Sequence, residues 1–218
     1  MLKRYYNYDE YNNYKGGSTM NEKISVAKLQ SIATKIARKV VADEKGHEYE
    51  GNQNCQLCTW CAECQCRGMD ILPRPVYSPR DIIFKYTSYS IVKDGRKVFF
   101  SIIDDIKDII LKAGPGSRFY THVQWKNSNS GHEFITVNVD GKLYILDGQA
   151  GIVTDIDTKK GSYFKNASLK DSFLVRMDDR ELNEKVLKYN DDKYIIYWDE
   201  ETDWEYLRKM REKKNKEK

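Results

Sequence analysis

The sequence lacks most of the features that would assign a class at a glance. No stretch approaches the ~20 apolar residues of a membrane-spanning helix, and the opening MLKRYYNYDEYNNYKGG has no apolar signal-peptide core, so a soluble protein made in the cytoplasm is expected. Histidine occurs only three times in 218 residues, which confines imidazole chemistry to His47, His122 and His132. Charge of one sign is also scarce. The formal +4 belongs wholly to the tail from Glu205 to Lys218, which holds seven Lys/Arg and three Glu, and the rest of the chain is balanced. Such a run reads as a solvated end, so neither nucleic acid nor a membrane is the expected partner. Cysteine is absent everywhere except between Cys55 and Cys66. There Cys55, Cys58, Cys61, Cys64 and Cys66 crowd into twelve residues. An odd, crowded set is a poor disulfide framework, because bridges staple distant segments and need an even count.

What is present divides into four parts. Residues 1–20 hold five of the sixteen Tyr with Asn, Gly and Ser and no period, and read as a flexible leader. Residues 21–46 place Leu29, Ile32, Ile36 and Val40 at three- and four-residue steps, predicting an amphipathic helix capped by Asn21 and stopped near Gly46. Residues 48–190 carry the chemistry. A helix is predicted from Asn54 to Gly68 and another from Ser101 to Ala113; strands follow at Arg118–Trp125, His132–Val139 and Lys142–Leu146. The turn Asp140-Gly141 joins the last two. Phe173–Arg176 adds an edge strand and Glu181–Tyr189 a short helix. Helices first and antiparallel strands afterwards predict an α+β fold. Residues 191–218 form a C-terminal extension ending in the basic tail.

In a loop, the spacing CxxCxxCxxCxC would suit zinc or an iron–sulfur cluster, and a Cys-cluster metal protein is one alternative. On a helix the same residues point, from Cys55, to roughly 0°, 300°, 240°, 180° and 20°, a full circuit that cannot surround one ion. Cys61, Cys64 and Cys66 then read as small buried hydrophobes. Cys55 differs because it follows the cap residue Asn54 directly. In the first turn, free N–H groups and the positive helix end favour a thiolate, which is a nucleophile. Cys58, one turn further in, is the alternative nucleophile.

A cysteine nucleophile needs an imidazole to move protons and a third group to fix the ring's tautomer. His47 lies in a polar turn, and His122 inside a strand reads as a sheet-face residue. His132 opens a strand whose hairpin returns Asp147 to a comparable distance from the turn, so antiparallel pairing brings the two within reach. Gln149 offers an amide to orient a ring or line the site.

Together Asn54-Cys55-x-x-Cys58, Arg67-Gly68-Met69-Asp70-Ile71, Pro115-Gly116-Ser117-Arg118, Gly131-His132-Glu133-Phe134 and Leu146-Asp147-Gly148-Gln149-Ala150-Gly151 resemble the papain-fold toxin domain. This is a glutamine deamidase family of bacterial polymorphic toxins and phage minor head proteins. The likeness spans about residues 48–190, closing on SFLVRMDDRELN, and departs from the family's usual small and aliphatic residues at Cys61, Cys64 and Cys66. It implies a papain-like cysteine hydrolase fold, with the nucleophile at a helix N-terminus packed on an antiparallel sheet carrying His and Asp. Cys55 would be the nucleophile, His132 the base and Asp147 its orienting group, with no cofactor. The implied substrate is a protein presenting a Gln side chain, converted to Glu with release of ammonia. The implied setting is a toxin, effector or phage-associated enzyme, virion-associated or delivered to a target cell, with an inhibitory or delivery partner protein. The same residues are compatible with a papain-like cysteine protease, and with a non-catalytic phage-head or interaction module.

Overall fold

The computed structural model describes residues 24–37, 55–73, 91–128, 130–158 and 163–183. The Tyr-rich leader, the expected cap Asn21, His47, Asn54 and the basic tail lie outside the described residues. Helix α1 (Val26–Ala37) buries Leu29, Ile32, Ala33 and Ile36 along one stripe. Ser25 rather than Asn21 caps it: its Oγ accepts the Lys28 N–H at 3.2 Å, the N3 position an N-cap side chain serves.

Helix α2 (Cys55–Cys66) is of another kind, because every residue from Gln56 to Cys66 is buried. A helix enclosed on all sides needs no amphipathic stripe. Its end is a Schellman motif. Gly68 sits at φ +84°, its N–H reaches the Gln65 carbonyl at 3.0 Å, and the Met69 N–H reaches the Cys64 carbonyl at 3.0 Å.

One antiparallel sheet follows, built from β1 (Val98–Phe99), β2 (Arg118–Gln124), β3 (Gly131–Val139), β4 (Lys142–Asp147), β5 (Ile152–Asp155) and β6 (Phe173–Arg176), in the order β1-β6-β2-β3-β4-β5. Helix α3 (Ile103–Lys112) lies between β1 and β2 in the chain, its first turn held by Asp105, whose carboxylate accepts the N–H groups of Ser101 and Ile102. The hairpin of β3 and β4 turns through Asp140 at φ 52° and Gly141 at φ 87°, the paired positive dihedrals a two-residue hairpin turn demands. Phe173–Arg176 is a strand but not an edge one: β1 covers its outer side. The expected helix from Glu181 does not begin there, since Leu182 forms a bridge with Val92; residues 184–189 lie outside the described residues.

The sheet separates two apolar layers. One face packs Tyr120, Ile135, Val137, Leu146 and Val175 against α1 and α2. The other packs Phe119, Val123, Phe134, Leu143 and Ile145 with Ile106 and Ile110 of α3. No helix among the described residues is long and apolar enough to cross a membrane.

A buried ion cluster fixes α2 on the sheet. Glu63 has no exposed surface and takes a two-pronged contact from Arg118, Nε to Oε2 at 2.8 Å and Nη2 to Oε1 at 3.0 Å, plus Arg67 Nε at 2.7 Å. Arg67 also donates to the carbonyls of Arg180 and Met177, and Asp178 accepts the Arg118 N–H at 2.8 Å. Removing one member of such a cluster leaves a buried charge uncompensated, at a cost of about 3–5 kcal/mol. The phrases around Arg67, Arg118 and Asp178 therefore describe how the helix is clamped rather than what the site does.

Candidate functional site

The site gathers where β3 begins, β4 ends and α2 starts. Extending the register of β3 and β4, in which Ile135 faces Leu146, puts Asp147 opposite Phe134 and diagonal to His132. His132 Nε2 and Asp147 Oδ2 are 2.6 Å apart. Asp147 is buried, and its other oxygen, Oδ1, accepts the Ala150 N–H at 2.9 Å. Burial alone would raise its proton affinity, but the hydrogen bond and charge of His132, the Ala150 N–H and the Tyr163 hydroxyl outweigh it, so the carboxyl is held below its ordinary value. An ionised Asp147 makes Nε2 the protonated nitrogen of a neutral ring and leaves the lone pair on Nδ1.

Glycines let these parts approach. A Cβ on Gly131 would lie 2.5 Å from the Val123 carbonyl oxygen and 2.8 Å from His122 Cε1, closer than real contacts allow. Gly148, beside Asp147, would meet Ile36 Cγ2 at 3.1 Å and the Cys58 carbonyl oxygen at 3.2 Å, so a side chain there would crowd the β4–β5 turn against α1 and α2. Gln149 lies in that turn and is partly exposed.

Cys55 opens α2, half-buried, and the backbone N–H groups of Glu133 and Gln56 point at its sulfur. A strand N–H lies in the plane of its sheet. A sulfur that receives the Glu133 N–H therefore lies at the sheet's rim, beside the start of β3. The expectation of a favoured thiolate is not met. Burial pushes the thiol up to about 12, and the negative charges of Glu133 and Asp147 add to it, while the two N–H groups oppose it. The resting group is the thiol.

The other cysteines are enclosed. Cys58 has no exposed surface, its carbonyl lies under Gly148, and burial, then Cys55 and Asp147, raise its thiol still further. Cys61, Cys64 and Cys66 are core residues with at most 8% exposure. Among the described residues no three His, Cys, Asp or Glu side chains are grouped so as to hold a metal ion.

Three neighbours carry no clear signal in the sequence. Trp125 lies nearly parallel to the His132 ring, with centroids 6.4 Å apart, and with Lys126 and Asn166 it lines a hollow of about 460 Å³. Tyr163 stacks on the same ring at 5.5 Å and donates its hydroxyl to Asp147 Oδ2 at 2.8 Å. Glu133 reaches His122 Nδ1 at 3.3 Å, and His122 stacks on Phe173.

No family model matches the chain, and no curated protein matches it in sequence. Among solved structures it is similar to the Salmonella effector SpvD, in its G161 variant. The TM-score is 0.50 at 18% identity, covering 72% of this chain and 80% of that one. The α+β architecture of helices on an antiparallel sheet is thus shared with a bacterial effector.

Proposed function

We propose that the chain is a cysteine-dependent amidohydrolase of papain-like fold that deamidates a protein glutamine as a bacterial effector or toxin. The observation that carries this reading is the 2.6 Å His132–Asp147 bond at the rim where the Cys55 sulfur lies. Cys55 Sγ would give its proton to His132 Nδ1 and form a bond to the carboxamide carbon, while the N–H groups near the helix start face the negative oxygen. The C–N bond then breaks, and the imidazolium proton leaves with the nitrogen as ammonia. Water, deprotonated by the same ring, hydrolyses the thioester to a Glu carboxylate and restores the thiol.

The recess of Cys55 supports a side-chain amide over a main-chain one, because a Gln carboxamide on its flexible stem reaches a half-buried sulfur without a chain flanking it on both sides. The shared fold with an effector supports the biological setting. The test is intact mass of candidate substrate proteins after incubation. A gain of about one dalton without cleavage, lost in Cys55→Ala, is the expected result. Cleaved products would replace the deamidase with a protease, and unchanged masses with a wild-type signal equal to Cys55→Ala would remove the enzyme reading.

A further inference from the structure

We propose that Tyr163 is a positioning residue of the His132–Asp147 pair, its hydroxyl holding the Asp147 carboxylate and its ring holding the imidazole in place for proton transfer with Cys55. This rests on the reading of His132 as the base. The Tyr163 hydroxyl is 2.8 Å from Asp147 Oδ2, the same oxygen that bonds His132 Nε2, while Ala150 N–H occupies Oδ1. Three donors thus converge on one carboxylate. The Tyr163 ring lies 10° from parallel with the imidazole at 5.5 Å, and Trp125 is a second near-parallel neighbour at 9°. Of the aromatic residues at His132, Trp125, Phe134 and Tyr163, the tyrosine alone donates to the carboxylate.

Its place is secured by the next residue. Phe164 is buried and meets Phe134 edge-on at 5.8 Å and Phe100 at 6.4 Å, so the chain cannot carry Tyr163 away without opening that layer. Burial, the Asp147 charge and their hydrogen bond push the phenol well above its ordinary value, so it stays a donor through the neutral range.

The function follows from where the proton goes. When His132 takes the Cys55 proton, an imidazolium forms that only an ionised Asp147 stabilises. The groups acting on Asp147 are His132 from β3, the Ala150 N–H from the β4–β5 turn and Tyr163, and the Asp147 charge in turn raises the thiols of Cys55 and Cys58 on α2. Hydrogen bonds to the charged form lower a carboxyl's proton affinity, and losing one raises it.

The experiment is a carbon-NMR titration of the Asp147 carboxyl in the full chain, with Cys55 labelling by iodoacetamide measured alongside. Tyr163→Phe keeps the ring and the fold, verified by thermal melting. It should raise the Asp147 midpoint by about one pH unit and slow Cys55 labelling several-fold near neutral pH. Tyr163→Ala, which also loses the stacked ring, should slow labelling further than Tyr163→Phe. An unmoved Asp147 midpoint in Tyr163→Phe overturns the proposal. A raised midpoint with unchanged labelling overturns its catalytic half, and if His132→Ala is equally silent the fault lies in His132 as base.

Discussion

His132–Asp147 and His122–Glu133 are two imidazole–carboxylate pairs whose members 132 and 133 are consecutive on β3, so alternation sends them to opposite faces of the sheet. His132 lies with Phe134 on the α3 side, and Glu133 with Ile135 on the α2 side. Their chemistry looks the same in sequence, but their settings differ. The first pair is 2.6 Å apart, with a carboxylate held by three donors and a ring near-parallel to two aromatics. The second is 3.3 Å apart, with its ring stacked on Phe173. Both carboxylates press on the Cys55 thiol from the rim of the sheet, and both raise its proton affinity. The first pair is the shorter and its carboxylate the more fully held, so on the proposed mechanism it takes the proton, while Glu133 resists the thiolate.

The largest expected effect separates the two imidazoles. His132→Ala should lower single-turnover deamidation by about 10³-fold, in the range for loss of a general base, whereas His122→Ala should change it no more than a few-fold. Next come the carboxylates, with opposite signs. Asp147→Asn should slow turnover by at least about 10²-fold, because an amide no longer fixes the ring as a carboxylate does. Glu133→Gln removes the carboxylate with the larger effect on the Cys55 thiol and should speed Cys55 labelling. A fall in labelling with Glu133→Gln would make the second pair the working one.

The smallest effect is on stability. Asp147 is held below its ordinary value in the folded chain, so its contribution is fully present above the unfolded value of about 4 and is lost as pH falls through the folded value. Thermal melting should therefore drop more steeply on acidification in the wild type than in Asp147→Asn. Equal acid slopes would show that the fold does not favour the charged carboxylate.

The parts that were legible in the sequence are those set by local chemistry. Asp140-Gly141 at the hairpin turn, Gly68 after the last helical turn and the two-residue alternation of β2 to β4 each reflect a backbone requirement confined to a few residues. The diagonal meeting of His132 and Asp147 followed from counting along that hairpin. What could not be read depends on contacts distant in the chain. β1 has two residues and β5 four, too few to show a period, so Phe173–Arg176 looked like an edge. Glu63 has no local signal of its role, which comes from Arg118, 55 positions away. The thiol misled for the same reason: the helix start is local, while burial and the Glu133 and Asp147 charges come from the sheet.

The most direct test of the central claim is the rate at which iodoacetamide labels each of the five cysteines, mapped by mass spectrometry in the wild type, His132→Ala and His122→Ala at neutral pH. Cys55 should be the fastest, slowed at least about tenfold by His132→Ala and unaffected by His122→Ala. Preferential labelling of Cys58, or a Cys55 rate that falls with His122→Ala and not with His132→Ala, would contradict it.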